Sequence, residues 1–245
     1  MKRQILASGA AGLFALAVSG CASGHTAAPS STAPPPPPPP PFEVAKADTL
    51  LLNADEMNAI MGVKLDYQDK PAPGWSQPPD PNVIDQGNAG CEPLFGPSTA
   101  SVGTVYTAYR QNSSYESKDA YDHIVTQEVV IVADAGAAKQ LLSDAVTKPL
   151  SGCDGQKVHI KDGKFQRLIK KTAVSDSDVR FVVSSLNMDP PNAPTGFNCA
   201  DEVRAKNNVL IYTFVCQNGN GAPLTTAIVD KISGKVPGGA TNSPS

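Results

Sequence analysis

Hydrophobic and polar positions alternate, cluster and recur along this chain in ways that predict most of its elements. Thr126-Gln127-Glu128-Val129-Val130-Ile131-Val132 concentrates β-branched residues and predicts a buried strand. Ala138, Leu141, Leu142, Ala145 and Val146 then recur with a period near 3.6, the stripe of a helix that Asp134 caps and that Pro149 is expected to end after Lys148. Upstream, Val105, Thr107 and Tyr109 alternate with Tyr106, Ala108 and Arg110, so Thr104 to Arg110 reads as a strand followed by a polar connection. Nearer the N-terminus, Asn53 and Glu56 have the spacing of a capping box ahead of Met57, Ile60 and Met61, and Gly62 suits the left-handed stop of that helix. Val63 to Gln68 suits a short strand. From Lys70 to Asn88, five prolines, two glycines and the lone tryptophan, Trp75, predict a long loop. Trp75 is expected to fold back on the domain as a plug, with ligand binding as the alternative role.

The second half reads mainly as hairpins. Gln156 to Lys161 and Phe165 to Val174 flank Asp162-Gly163, a strong two-residue turn signal. Val179 to Leu186 adds a strand, and residues 189 to 196 read as a proline-rich loop. Cys199 to Ala205 and Val209 to Cys216 flank Lys206-Asn207-Asn208, where asparagine tolerates positive φ. Pro223 can open a last helix with Ala227, Ile228, Ile232 and Val236 facing inward. Strands joined by hairpins, with helices at the ends and middle, predict an α+β fold: one domain with helices packed on an antiparallel sheet.

The N-terminus changes the picture of where such a domain works. Lys2 and Arg3 precede an apolar run from Ile5 to Val18, the pattern of a signal peptide over residues 1–20. Leu16-Ala17-Val18-Ser19-Gly20-Cys21 looks like a bacterial lipobox, which makes Cys21 the expected lipid-attachment site on the extracytoplasmic face of the cell membrane. Multiple acyl chains, at about 0.8 kcal/mol per buried methylene, would make that anchoring stable. Residues 21–46 form the lipidated cysteine and a proline-rich linker, with eight consecutive prolines from Pro34 to Pro41 expected to hold an extended polyproline rod. The folded domain is expected over 47–237 and a disordered tail over 238–245. Removing Lys2 and Arg3 with the signal takes the formal charge from -3 to -5, which speaks against nucleic acid as a partner.

Setting Cys21 aside leaves Cys91, Cys153, Cys199 and Cys216, an even number in an exported chain and so two expected disulfides. The last hairpin would place Cys199 across from Cys216, which leaves Cys91 for Cys153. A four-cysteine zinc site is disfavoured because paired CxxC spacings are missing, so no metal is expected. Catalytic chemistry has little to draw on. His25 lies in the linker, and His123 and His159 lack a recognisable nucleophile context, so no catalytic residue is expected and a hydrolase is the least favoured reading. Gly219-Asn220-Gly221 mimics the opening of a dinucleotide fingerprint but has Leu224 at the third glycine position, so no cofactor is expected. Lys161, Lys164, Arg167, Lys170 and Lys171 form a local basic cluster that reads as a solvated sheet face, with anion binding as the alternative.

Three segments carry a family resemblance: the helix Asn53-Ala-Asp-Glu-Met-Asn-Ala-Ile-Met-Gly62, the run from Gln127-Glu128-Val129-Val130 into the alanine-rich helix ending at Cys153-Asp-Gly, and the closing pair Cys199 to Arg204 and Asn208 to Cys216. From about Leu50 to Val236 the chain resembles the extracellular sensor domain of mycobacterial PknH-type serine/threonine kinases and the lipoproteins that carry the same domain. The family pattern has a tryptophan shortly before its second cysteine, where this chain has Pro149-Leu150. The resemblance implies helices on an antiparallel sheet, sequential disulfides, and a cleft for an unidentified extracellular ligand, with no catalysis. The kinase signature sequences are absent. The expected function is therefore that of a non-catalytic envelope lipoprotein whose domain binds a small molecule, lipid or cell-wall component. A structural or protein-interaction module with an envelope protein partner is the alternative.

Overall fold

From Thr126 to Ile131 the run expected as a buried strand lies inside the sheet with a partner on each side. A computed structural model describes residues 37–70, 74–80, 83–119, 121–161 and 164–238, and residues from Pro38 onward form one unit. The lipobox, Cys21, His25, Asp162-Gly163 and the tail from residue 239 lie outside the described residues.

Among the described residues nine strands form one antiparallel sheet: β1 (Tyr67–Gln68), β2 (Ile84–Gln86), β3 (Ala108–Tyr115), β4 (Ile124–Ile131), β5 (Lys157–Ile160), β6 (Phe165–Val174), β7 (Asp178–Met188), β8 (Pro191–Lys206) and β9 (Val209–Asn218). Their spatial order is β1-β3-β4-β9-β8-β7-β6-β5-β2. The helices are α1 (Ala54–Met61), α2 (Thr99–Val102), α3 (Ala135–Leu142), α4 (Lys148–Cys153) and α5 (Ala222–Gly234).

Both faces of the central strands are covered, which explains the nearly unbroken apolar run of β4. On the first face, Tyr109, Val130, Leu210, Tyr212, Val203 and Phe181 pack with Leu141 and Leu142 of α3, Leu150 of α4, and the 3-10 segment Ala89–Phe95. On the second, Val125, Val129, Ile131, Ile211 and Val215 pack with Ile228, Val229 and Ile232 of α5, Met57 and Met61 of α1, and the segment from Phe42 to Leu52. α1 carries the expected capping box, with Gly62 left-handed at φ 68°. The two disulfides are Cys91–Cys153, which ties the 3-10 segment to α4, and Cys199–Cys216, which join facing positions of β8 and β9.

Several expectations shift. Phe42, inside the 21–46 stretch expected as linker, is already packed in the domain: it is buried and its amide donates to Asn208 Oδ1 at 2.6 Å. β3 starts at Ala108 rather than Thr104, because α2 and Gly103 occupy the preceding stretch, and it runs on through Gln111 to Ser114. Two of those polar side chains find partners within the sheet, Gln111 Oε1 with Tyr109 Oη at 3.1 Å and Ser113 Oγ with Thr126 Oγ1 at 2.8 Å. Of the strand expected over Val63–Gln68, only β1 forms.

Pro149 does not end its helix. Residues Ser143–Thr147 form a π turn, with the Lys148 amide bonded to the Ser143 carbonyl, and the wider turn carries the chain past the proline ring into α4. The proline-rich stretch 189–196 turns at Asp189-Pro190 and, from Pro191, belongs to β8. Strand β9 reaches only as far as Phe197, opposite Asn218, so the start of β8 has a partner on one side alone and its prolines need no second set of donors. In α5, Ala227 is exposed, and Thr225, Ile228, Val229, Ile232 and Ser233 form the inner side.

Candidate functional site

Alternation along β4 sends Glu128 to the first face, between Thr126 and Val130, into the layer beneath the 3-10 segment. Glu128 is buried, and loss of hydration pushes its carboxyl up to about 8, partly offset by the hydrogen bond with Tyr109. On β8, Asp201 is buried on the same face; its carboxyl also lies well above the usual range, through burial and the nearby Glu128. Each acid meets a tyrosine: Glu128 Oε2 lies 2.7 Å from Tyr109 Oη, and Asp201 Oδ1 lies 3.1 Å from Tyr212 Oη.

Each tyrosine also meets a carbonyl-type oxygen, Gln111 Oε1 at 3.1 Å for Tyr109 and the Leu94 carbonyl at 2.8 Å for Tyr212. A phenol has one proton to give. The Tyr109 proton is therefore shared between Glu128 Oε2 and Gln111 Oε1, and the Tyr212 proton between Asp201 Oδ1 and the Leu94 carbonyl. Gly96 makes room for this band: its φ is 108°, and a Cβ there would sit 2.9 Å from Glu128 Oε1.

The first chain of hydrogen bonds ends at an open cleft. Gln111 lines a cavity of about 770 Å³ together with Trp75, Gln77, Asp80, Thr104 and Tyr106. That volume falls in the range of small-molecule sites, roughly 300–1,000 Å³. Trp75 is held by its backbone: its amide donates to the Gln111 carbonyl at 2.8 Å, and the Gln111 amide donates back at 3.1 Å. Gly74 permits that approach, since with φ 84° a Cβ would fall 2.2 Å from the Gln111 oxygen. The Pro79 carbonyl accepts from the Thr99 amide at 3.0 Å, fixing the other wall. Trp75 is thus 47% exposed on an anchored segment rather than plugged into the core.

This geometry can be set beside known proteins. A family model described as the PknH-like extracellular domain matches residues 42–235. The chain belongs to the PknH-like extracellular domain family. It is 26% identical over 194 residues to the serine/threonine-protein kinase PknH of Mycobacterium bovis, covering 77% of this chain and 31% of that one. The kinase PknH of Mycobacterium tuberculosis matches at the same identity over 29% of its length, so the chain spans less than a third of these relatives. The crystal structure of the extracellular domain of PknH from Mycobacterium tuberculosis superposes with a TM-score of 0.69 at 22% identity, over 80% of this chain and 97% of that one.

Within this PknH-like domain the residues singled out from sequence scatter. His123 pairs through Nδ1 with Glu116, and His159 Nδ1 lies 2.6 Å from Asp85 Oδ1 on the far edge of the sheet. The basic cluster is divided by strand alternation, with Arg167 and Lys171 on the side of Ile169 and Lys170 on the other. Arg167 donates to Ser185 Oγ at 2.7 Å, and Lys171 approaches Asp154 at 4.0 Å. Gly219 to Gly221 is the turn into α5, and Thr225 at its first turn bonds the Ala200 carbonyl at 3.0 Å. Among the described residues no helix is long and apolar enough to cross a membrane, and no group of three or more His, Cys, Asp or Glu side chains is placed to hold a metal ion.

Sequence reading missed Glu128, Asp201, Tyr109 and Gln111 as a unit. One signal was available: Glu128 is a lone charge inside a β-branched run, where a solvated carboxylate has no place.

Proposed function

We propose that this PknH-like extracellular domain is a non-catalytic ligand-binding module of the cell envelope, tethered through a lipid on Cys21 and receiving its ligand in the Trp75 cleft. The observation that carries the reading is the cleft itself: a half-exposed aromatic fixed by paired backbone hydrogen bonds beside Gln111. An open, pre-formed cavity with convergent polar groups is what small-ligand binding requires. The lipobox supports the tether, with the membrane as the first partner and a small molecule, lipid or wall component as the second.

The test is a melting screen of the purified protein against fractionated envelope extract. A ligand at a hundred times its Kd adds about 2.7 kcal/mol to stability, a shift easily read. At least one fraction is expected to raise the melting midpoint and to move the emission of Trp75, the single tryptophan. If no fraction does either, the binding reading fails. For the tether, metabolic labelling with palmitate should mark the native chain and not a Cys21→Ala variant.

A further inference from the structure

We infer that the Trp75 cleft takes a neutral saccharide; this rests on reading the cleft as the ligand site and adds the class of ligand. The aromatic components come first. Trp75 is 47% exposed, a large apolar surface left in water at the cleft. The Lys70 ammonium sits 4.4 Å from the centre of the indole ring and takes one of its faces. The other face is the stacking surface, with Tyr106 as a second aromatic wall. A pyranose presents a patch of aliphatic C–H groups, weakly positive at the hydrogens, that suits the negative face of an aromatic ring.

The polar components decide among ligand classes. Gln77 and Thr104 line the cleft with groups that both donate and accept hydrogen bonds, as sugar hydroxyls do. Gln111 is committed: its oxygen accepts from Tyr109, so the amide NH₂ is the end left for the cleft. Asp80 adds a carboxylate able to accept from two adjacent hydroxyls. An anionic ligand is disfavoured, because Asp80 repels it and the nearby Lys70 ammonium is engaged on the indole face. A proline-rich peptide would stack well but brings few donors for Asp80, since proline has no N–H. An acyl chain would leave the amides, hydroxyl and carboxylate without partners.

The single tryptophan makes the site its own probe. The purified protein is titrated with neutral oligosaccharides (glucan, mannan, galactan and arabinan fragments), with decaproline, and with anionic phosphatidylglycerol vesicles. At least one oligosaccharide is expected to give a saturable change in Trp75 emission. By calorimetry, Trp75→Ala should weaken that oligosaccharide at least about tenfold, Trp75→Tyr less, and Gln77→Ala several-fold, with melting midpoints unchanged because both side chains are exposed. Emission that responds to decaproline or vesicles and to no saccharide overturns the ligand class while leaving the cleft as the site. Saccharide binding unaffected by either alanine variant lies elsewhere and also overturns the inference. Silence with every probe overturns it too, and silence in the envelope-fraction screen as well removes the reading beneath it.

Discussion

Gln127 and Glu128 are neighbours on β4 and face opposite ways, and the two sides of the sheet treat their buried polar side chains differently. On the second face the Gln127 amide mimics a strand: Oε1 accepts from the Leu52 amide at 2.7 Å and Nε2 donates to the Leu52 carbonyl at 2.8 Å. That pairing fixes the chain entering the domain against the apolar layer under α5 and α1, a face that along β8 also buries Glu202, bonded to Arg204 and to Thr226 of α5. On the first face Glu128 and Asp201 bring carboxyl groups into the core, where burial raises both above the usual carboxylate range, and tyrosines link them to Gln111 and Leu94. The first face also has a covalent staple in its cover, Cys91–Cys153, and the cleft opens at its margin. The lesson is that polar groups in one sheet serve two purposes: Gln127 closes a structural seam, whereas Glu128 leads by way of Tyr109 to a surface with exposed chemistry.

The comparison can be broken at the staple first. Replacing Cys91 and Cys153 with serine opens a loop of 62 residues and should cost about 4 kcal/mol in urea denaturation. Hydrogen exchange should rise in α3, α4 and residues 89–98 while α5 keeps its protection. Equal loss of protection on both faces would deny that the staple belongs to the first. Ile228→Ala, on the second face, removes a fully buried side chain and should cost about 3 kcal/mol, with α5 the more affected element. Gln127→Ala should cost about 2 kcal/mol by stranding the Leu52 amide and carbonyl. Calorimetric melting, followed by proteolysis within residues 42–52, would register it.

The smallest effect at low pH, and the sharpest with pH, belongs to Glu128→Gln. An amide keeps an acceptor for the Tyr109 hydroxyl, so stability near pH 5 should change by less than about 1 kcal/mol. In the native chain the Glu128 carboxyl is raised from 4.5 to about 8, so the folded state holds a proton that the unfolded state gives up. Its stabilisation is complete below about pH 4.5 and is lost as pH rises through about 8. Asp201, raised in the same direction and partly by Glu128 itself, remains in both proteins, so their difference reports Glu128 together with its effect on Asp201. The stability gap should move toward the glutamine variant between pH 5 and 9. A gap independent of pH would mean that Glu128 is already ionised.

Much of the fold was legible because local rules act on contiguous residues. The capping box at Asn53 and Glu56, the period of Ala138 to Val146, and the hairpin that sets Cys199 against Cys216 each depend on neighbours within one element or one turn. Elements were misjudged where a partner far along the chain overrode local preference. Gln111 to Ser114 look like a connection until Thr126 and the Trp75 backbone supply their partners. Pro149 looks like a stop until a π turn makes room for it. The proline-rich start of β8 looks like a loop until β7 pairs with it along one side.

The sequence by itself determined the fold class, the number of disulfides and their pairing, and the presence of one aromatic in a long proline-rich segment, because periodicity, cysteine count and turn chemistry are local or additive. Only the tertiary structure decided that Trp75 stands half in water against Gln111 and that Glu128, Tyr109 and Gln111 form one chain of hydrogen bonds. Glu128 lies 17 residues beyond Gln111 and 53 beyond Trp75. What joins them is the register of β3 on β4 and a single bridge from the loop to β3, set by the burial of whole faces rather than by any local signal.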